Sequence, residues 1–297
     1  MTSVSDGLNL AHYPLIRRGK VRDVFDLGQH LLLVASDRVS AFDVVLPNVL
    51  PGKGELLTAI SRFWFDRIQD IAPTQMTDIA LDSLRLEPGE LELIEGRSVI
   101  VRKADRVDIE CVVRSYLAGS AWLEYQRSSS VAGIEHPTGM NRGDQLPEIL
   151  FTPAIKNDSG HDENISVQQL VENVGADLAS QLEDLSRRIF ERGQTLAGRA
   201  GFLLADTKFE FGWIDGALSV IDEVLTPDSS RYWNAQDLTR GHEPPAYDKQ
   251  IIRDWLEESG WNKQPPGPGL PDDIIERTLE RYRSVSVRLH QTQPKGA

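Results

Sequence analysis

The stretch FLLADTKFEFGWIDGALSVIDEV, residues 202–224, constrains the fold more than any other part of this 297-residue chain. Lys208 and Glu210 alternate with Phe209 and Phe211, so an extended backbone carries a charged face and an apolar face. Asp206 falls on the charged side. Asp215-Gly216 then supplies the turn chemistry of a tight β-hairpin, because both residues tolerate positive φ. The phenylalanine face of such a ribbon must be buried by other elements, which demands an antiparallel sheet packed on helices. The loop length decides where Asp222 points. A two-residue loop pairs Ile214 with Ala217 and puts Asp222 on the phenylalanine side. A three-residue loop pairs Trp213 with Ala217 and puts Asp222 beside Lys208 and Glu210. In that second register two carboxylates and an ammonium converge, as suits Mg²⁺ bridging phosphates. The alternative is a surface salt-bridge ladder across the hairpin, and the sequence leaves both open.

The remaining segments fill out an α+β chain. VRDVF (21–25), LLLVAS (31–36), SVIVRKA (98–104) and IECVVRSYL (109–117) read as strands, with LGQ as the turn between the first two. Helical spacing predicts helices over 55–70, 177–200 and 272–290, the second stopped by Gly201. A short helix carrying Ala121, Trp122 and Tyr125 follows the 109–117 strand. QPPGPGLP (264–271) is a loop. Early strands, a mixed middle and late helices do not follow regular βαβ alternation.

Charge and cysteine usage narrow the function. A formal charge of −13 argues against a general nucleic-acid binder but leaves room for local anion sites. No apolar run is long enough to span a membrane, the N-terminus has no secretory pattern, and the one cysteine, Cys111, lies in an apolar segment. The expected location is cytoplasmic.

Several stretches carry chemistry. RRGKVRDVF (17–25) places Gly19 among cations beside a strand, where backbone N–H groups, Lys20 and Arg22 can meet phosphate. PGKGE (51–55) lacks the spacing of a phosphate-binding P-loop and reads as a turn before a helix. VASDRVSAFD (34–43) ends an apolar strand with Asp37, Arg38, Ser40 and Asp43, a place for ligand contacts or for a helix cap. In VVRSYLAGSAW (112–122), Arg114 lies in an apolar run and needs an anionic partner, internal or bound. FTPAIKNDSGHDENIS (151–166) reads as a long polar loop with Lys156, Asp162 and Glu163. IDEVLTPDSSRYW (221–233) crowds acids, hydroxyls and Arg231 at a strand end.

Taken together, RRGKVRDVF, SDRVSAFD, ECVVRSYLAGSAW, FTPAIKNDSGHDENIS, LADTKFEFG and IDEVLTPDSSRYW resemble the SAICAR synthetase family of purine biosynthesis, in order and spacing over about residues 17–255. The length resembles the longer form of the family found in yeast. The resemblance implies an ATP- and Mg²⁺-dependent ligase that joins the carboxylate of a carboxyaminoimidazole ribonucleotide (CAIR) to the amine of L-aspartate. It implies a small β-rich, kinase-like ATP-binding domain (1–108), a larger α+β domain (109–234) and a C-terminal helical segment (235–297). By the same resemblance Gly19, Lys20, Val21 and Arg22 form a flap over the ATP phosphates, with Lys208 near them. The strand end around 102–104 meets the adenine, and Glu210 and Asp222 bind magnesium. Arg114, Ser120 and Arg231 hold the CAIR phosphate. Asp37, Arg38 and Ser40 lie at the CAIR carboxylate and aspartate end, with Lys156 and Asp162 lining the same cleft. The expected partners are CAIR and aspartate, with no nucleic acid or membrane, and the chain is expected to act as a monomer. Two other readings share the ATP half: an inactive nucleotide-binding homologue and a small-molecule kinase. Neither has use for the second anion site of Arg114, Ser120 and Arg231.

Overall fold

The computed structural model describes residues 7–156, 163–239 and 241–292. The first sheet begins with a hairpin of β1 (Leu15–Arg18) and β2 (Arg22–Asp26), closed by residues 19–21, and continues into β3 (His30–Ala35). A second hairpin follows, β4 (Arg38–Ala41) with β5 (Val44–Val49), turning at Phe42-Asp43, both at positive φ. The VASDRVSAFD stretch, read as the polar exit of an apolar strand, thus contains a strand of its own. Gly52 at φ 83° opens α1 (Lys53–Ile68), matching the turn read in PGKGE. After α2 (Glu90–Ile94), β6 (Ser98–Arg102) pairs with β3 and completes the order β1-β2-β3-β6. Phe25, Leu32, Val34 and Ile100 form the small core on one face of this sheet.

The second sheet starts at β7 (Asp105–Tyr116), which runs into α3 (Gly119–Ser128). A two-residue hairpin of β8 (Ser130–Val131) and β9 (Ile134–Glu135) leads to β10 (Gln145–Ile155). FTPAI, expected to begin a polar loop, is therefore the end of a strand, paired with β7. Beyond it come β11 (Glu163–Asn164), α4 (Val167–Val174), α5 (Ala176–Arg199), β12 (Phe202–Ile214), β13 (Ala217–Ile221) and β14 (Ser230–Asn234). The strand order is β11-β10-β7-β12-β13, and β14 resumes the same edge of β12 that β13 leaves. Gly201 at φ 75° ends α5, as its position predicts.

Alternation along β7 and β12 gives this sheet two unlike faces. Cys111, Val113, Phe209 and Phe211 point into the main core, against Leu182, Ile189 and Phe190 of α5 and Ile60, Phe63 and Trp64 of α1. Burying each of these large side chains stabilises the fold by about 1.5–3 kcal/mol. The opposite face carries Glu110, Arg114, Asp206, Lys208 and Glu210. Finally α6 (Gln250–Glu258) and α7 (Asp272–Gln291) pack on the β4–β5 hairpin through Leu46, Leu50, Ile252 and Ile274, and α7 lies along α1. Among the described residues no helix is long and apolar enough to cross a membrane.

Candidate active site

The long hairpin has the two-residue loop: Ile214 pairs with Ala217, and Asp215 and Gly216 both take positive φ. That register would send Asp222 to the phenylalanine side if the strand continued. It does not continue. β13 ends at Ile221, opposite Glu210, and Asp222 itself turns out of the ladder at φ 66°. Its carboxylate reaches the Arg22 guanidinium, and Gln75 donates to its backbone carbonyl at 2.9 Å. The backbone twist, rather than the loop length, brings Asp222 to Glu210.

Glu210 accepts from the Lys156 ammonium, while Lys208 reaches Glu110 at 2.7 Å across the β12–β7 pair. Burial and the nearby Asp222 carboxylate push Glu210 above the ordinary carboxylate range, with Lys156 acting against them. Burial acts on Asp222 in the same sense, but Arg22, with Lys156 and Lys208, outweighs it and holds Asp222 low. One carboxylate of the pair is therefore poised above the other, the signature of two acids close enough to compete. Arg22 sits at the end of a tight turn in which Gly19 N–H donates to the Arg22 carbonyl at 2.7 Å. A Cβ on Gly19 would lie 2.8 Å from that carbonyl oxygen, so the turn needs glycine.

A second cluster lies further along the same sheet face. Arg114 donates to Thr152 Oγ1 at 3.0 Å, to Asp206 at 3.2 Å and to Ser120 Oγ at 3.2 Å. Arg231 on β14 donates to the same Asp206 oxygen at 2.5 Å. One carboxylate thus holds two buried guanidinium groups side by side. Gly119, at φ 54°, leaves the room they use: a Cβ there would lie 2.7 Å from Arg231 Nη2.

Both clusters open on a cleft of about 810 Å³ between the first sheet and the polar face of the second. Lys20, Val21, Arg22, Ser40, Arg114, Ser120, Lys208, Asp222 and Arg231 line it. Nine of its lining residues are Lys or Arg and eight are Asp or Glu, on a chain whose net charge is −13. The cleft is locally a cationic place on an acidic protein, which suits anionic ligands.

Other expected residues stand behind this surface. Gly19, Asp37, Arg38, Lys156 and Glu210 are not among the residues that line the cleft. The Asp37 carboxylate accepts from Gly52 N–H at 3.1 Å and Gly54 N–H at 2.9 Å, and so caps α1. Arg38 pairs with Asp23 at 2.7 Å and donates to the Gly19 and Lys20 carbonyls at 3.1 and 3.2 Å, bracing the glycine turn. Asp162 lies outside the described residues. Conversely, Asp206, Glu110, Asp228 and Lys249 line the cleft without having been singled out as site residues. Their places on the charged face of β12 and on alternating positions of β7 were readable for Asp206 and Glu110. No local pattern marks Lys249, which the fold brings in from the start of α6.

No group of three His, Cys, Asp or Glu among the described residues could by itself hold a metal ion. Glu210 and Asp222 nevertheless fit Mg²⁺, which characteristically takes one or two protein carboxylates and fills its remaining positions with phosphate oxygens and water. Their mutual repulsion, offset here by Lys156 and Arg22, is the charge a divalent cation would neutralise.

Known proteins resemble this chain in sequence and fold. Residues 15–268 match the family model described as SAICAR synthetase. A phosphoribosylaminoimidazole-succinocarboxamide synthase of Syntrophotalea carbinolica is 48 % identical over 282 residues, 94 % of this chain and 95 % of that protein. The corresponding protein of Thermodesulfovibrio yellowstonii is 45 % identical over 278 residues, 93 % of this chain and 95 % of its own. A solved SAICAR-synthase from Saccharomyces cerevisiae, complexed with SAICAR, superposes with a TM-score of 0.88 at 37 % identity, covering 99 % of this chain and all of that one. The longer chain is thus common to bacterial and yeast proteins.

Proposed function

The chain belongs to the SAICAR synthetase family and is an ATP-dependent ligase of purine biosynthesis, and from that premise we propose how its cleft divides the work. The observation that carries the proposal is the presence of two separate cation clusters on one sheet face. One holds a carboxylate pair and the other does not.

At the first cluster the Gly19–Arg22 turn and Lys208 bind the ATP phosphates, and Glu210 and Asp222 hold Mg²⁺. When bound, the ion screens the charge on the transferring phosphate. At the second cluster Arg114, Ser120 and Arg231 bind the ribonucleotide phosphate of CAIR, fixing its imidazole carboxylate in line with the γ-phosphate. Ser40 and Asp162 complete the aspartate end, with Asp37 and Arg38 acting on it from behind, while Lys156, paired with Glu210, serves the metal end. Asp228, the acidic group at the mouth of α6, accepts an N–H from a substrate nitrogen.

The chemistry follows from the difficulty of acylating an amine with a carboxylate, whose charge repels nucleophiles and whose oxygen leaves poorly. The CAIR carboxylate oxygen attacks the γ-phosphorus, the bond to the β-phosphate oxygen breaks, and ADP departs. The aspartate amine then attacks the acyl carbon, the carbon–oxygen bond breaks, phosphate leaves and the nitrogen loses a proton. The protein's main contribution is to align three anions and offset their repulsion.

The three-part division at 108 and 234, action as a monomer and a cytoplasmic location are parts of the same proposal. The passage from one sheet to the other falls at Lys103-Ala104, a few residues before the first of these boundaries. The test is a coupled assay. Glu210→Gln and Asp222→Asn are expected to lower turnover at least 100-fold, on the order of the 3 kcal/mol that one electrostatic catalytic contact supplies. Wild-type turnover by either variant at limiting Mg²⁺ would remove the metal assignment. ADP release with CAIR but independent of aspartate would remove the two-substrate reading of the cleft.

A further inference from the structure

Asp228 is held by parts of the chain remote from one another and from the two clusters. Its side chain is 3 % exposed, yet it lines the cleft. The Tyr282 hydroxyl, from the middle of α7, donates to Asp228 Oδ1 at 2.6 Å. The other oxygen, Oδ2, faces two ammonium groups: Lys249 at 3.5 Å, from the start of α6, and Lys53 at 3.8 Å, from the first turn of α1. Lys249 stands at the limit of a hydrogen bond and Lys53 beyond it, so Oδ2 keeps lone-pair capacity for a further donor.

Lys53 is the unusual member. A lysine at the N-terminus of a helix opposes the helix dipole, and a fully buried ammonium loses its hydration. Lys53 does both: it is 0 % exposed and its Nζ has no hydrogen-bond partner. Burial lowers its proton affinity, with Asp228 the principal group acting against that. Burial also raises Asp228, but Lys249, Lys53 and the Tyr282 hydroxyl outweigh it and keep the carboxyl well below its ordinary range. A core lysine that stabilised only the fold would be better replaced by an apolar residue of its volume. Its placement behind a cleft-lining carboxylate gives it a use there.

We propose that Tyr282 and Lys53 are positioning residues for the ligase reaction, holding the Asp228 carboxylate ionised and rotated so that Oδ2 receives a substrate N–H. The proposal rests on the reading of the cleft as the ligase site with Asp228 as an acceptor. It gives α7 a part in substrate binding besides its packing on α1: the helix delivers one hydroxyl to the cleft from behind. The donor is an amine nitrogen, either the ring amino group of CAIR or the α-amine of aspartate.

Steady-state kinetics of Tyr282→Phe, Lys53→Met, Asp228→Asn and the Tyr282→Phe/Asp228→Asn double variant test this. Tyr282→Phe removes one oxygen from a charged hydrogen bond, so kcat/KM for one nitrogen-bearing substrate is expected to fall about tenfold, while KM for ATP stays within about twofold. The arm that falls, CAIR or aspartate, identifies the donor. Lys53→Met is expected to lower the same parameter. Asp228→Asn is expected to fall at least as far as Tyr282→Phe, and the double variant no further than Asp228→Asn, because the hydroxyl acts only through that carboxylate. Parent kinetics in Tyr282→Phe, or losses that add fully in the double variant, overturn the positioning role. Parent kinetics in Asp228→Asn overturn it too, and mark the failure as that of Asp228 as an acceptor.

Discussion

Replacing Gly119 by alanine tests the assignment of the arginine cluster with a single methyl group. The added Cβ would lie 2.7 Å from Arg231 Nη2 and 3.1 Å from Nη1, where ordinary contact begins near 3.4 Å. A guanidinium on a free side chain would swing aside cheaply. This one is buried and bound to Asp206 at 2.5 Å, with Glu243 3.7 Å from its Nε. It must therefore shift by roughly 0.7 Å against a charge-assisted hydrogen bond worth about 1.5–3 kcal/mol. Alanine at φ 54° adds about 1–2 kcal/mol of backbone strain. The strain belongs to the fold and should lower Tm by about 2–4 °C. The displaced guanidinium belongs to the ligand site, and a misplacement of this size costs on the order of 10- to 100-fold in binding. In a coupled assay with each substrate varied in turn, KM for CAIR should rise 10- to 100-fold and KM for ATP less than threefold. Inorganic phosphate, as a competitor of CAIR, should weaken in parallel. A lowered Tm with unchanged KM for CAIR would show that the Arg231 end does not hold the ribonucleotide. A rise confined to ATP would reverse the two ends of the cleft.

Two further substitutions probe the scaffold around the site. Asp37→Asn leaves one acceptor oxygen where the Gly52 and Gly54 amides bond to two, and removes the charge from the N-terminus of α1, which has no other side-chain cap, together with the ion pair to Arg97. Chemical denaturation should show a loss of about 1–2 kcal/mol; an undiminished midpoint would mean that the charge and the second acceptor contribute nothing. The second concerns Asp248, whose buried carboxyl is pushed up to about 6, mainly by loss of hydration, with Arg231 and Arg253 acting the other way. Its folded pKa lies above the unfolded one, so the folded state binds the proton more tightly. Stability from this group is greatest below about pH 4 and falls as pH rises towards 6, by up to about 3 kcal/mol. Asp248→Asn keeps the contact to Gln250 N–H and removes the titration. The Tm difference, variant minus parent, should climb between pH 4 and 6 and level off above; a flat or falling difference would contradict the shift.

Periodicity and turn chemistry made much of this architecture readable. The helices at 53–68, 176–199 and 272–291 and the long hairpin follow from patterns that span ten residues or more. Shorter events were hidden for a physical reason. FTPAI looks polar in context because Lys156 and the acids after it dominate the stretch, yet its pairing with β7 depends on a strand some forty residues earlier. Asp37 takes the helix cap that its place at a strand end left open beside a ligand contact, and Arg38 braces the glycine turn. Their side chains are of the right kind for a ligand, but α1 and the glycine turn fold back to claim them. Their partners, the Gly52 and Gly54 amides that donate to Asp37 and the Gly19 and Lys20 carbonyls that accept from Arg38, are backbone groups that no sequence motif advertises.

Asp222 shows most clearly where alternation stops being informative. Two-residue periodicity holds only while φ stays in the extended region, and one residue in the left-handed region breaks it. An aspartate tolerates that conformation better than most residues, because its short side chain can bond locally. The same property that lets Asp222 leave the strand makes it suitable to face Glu210 from outside the ladder. The eight-residue excursion from Asp222 to Ser229 exists because β12 is left unpaired on that edge at Lys208 and Phe209, and the loop refills it only through the Lys208 N–H to Ser229 carbonyl bond at 3.0 Å. That interruption puts Asp222, Glu223 and Asp228 over the cleft while Ile221 and Ser230, on either side, remain in the sheet. A strained residue at the strand end is thus the means by which a rigid sheet presents acids at a fixed place without a flexible loop.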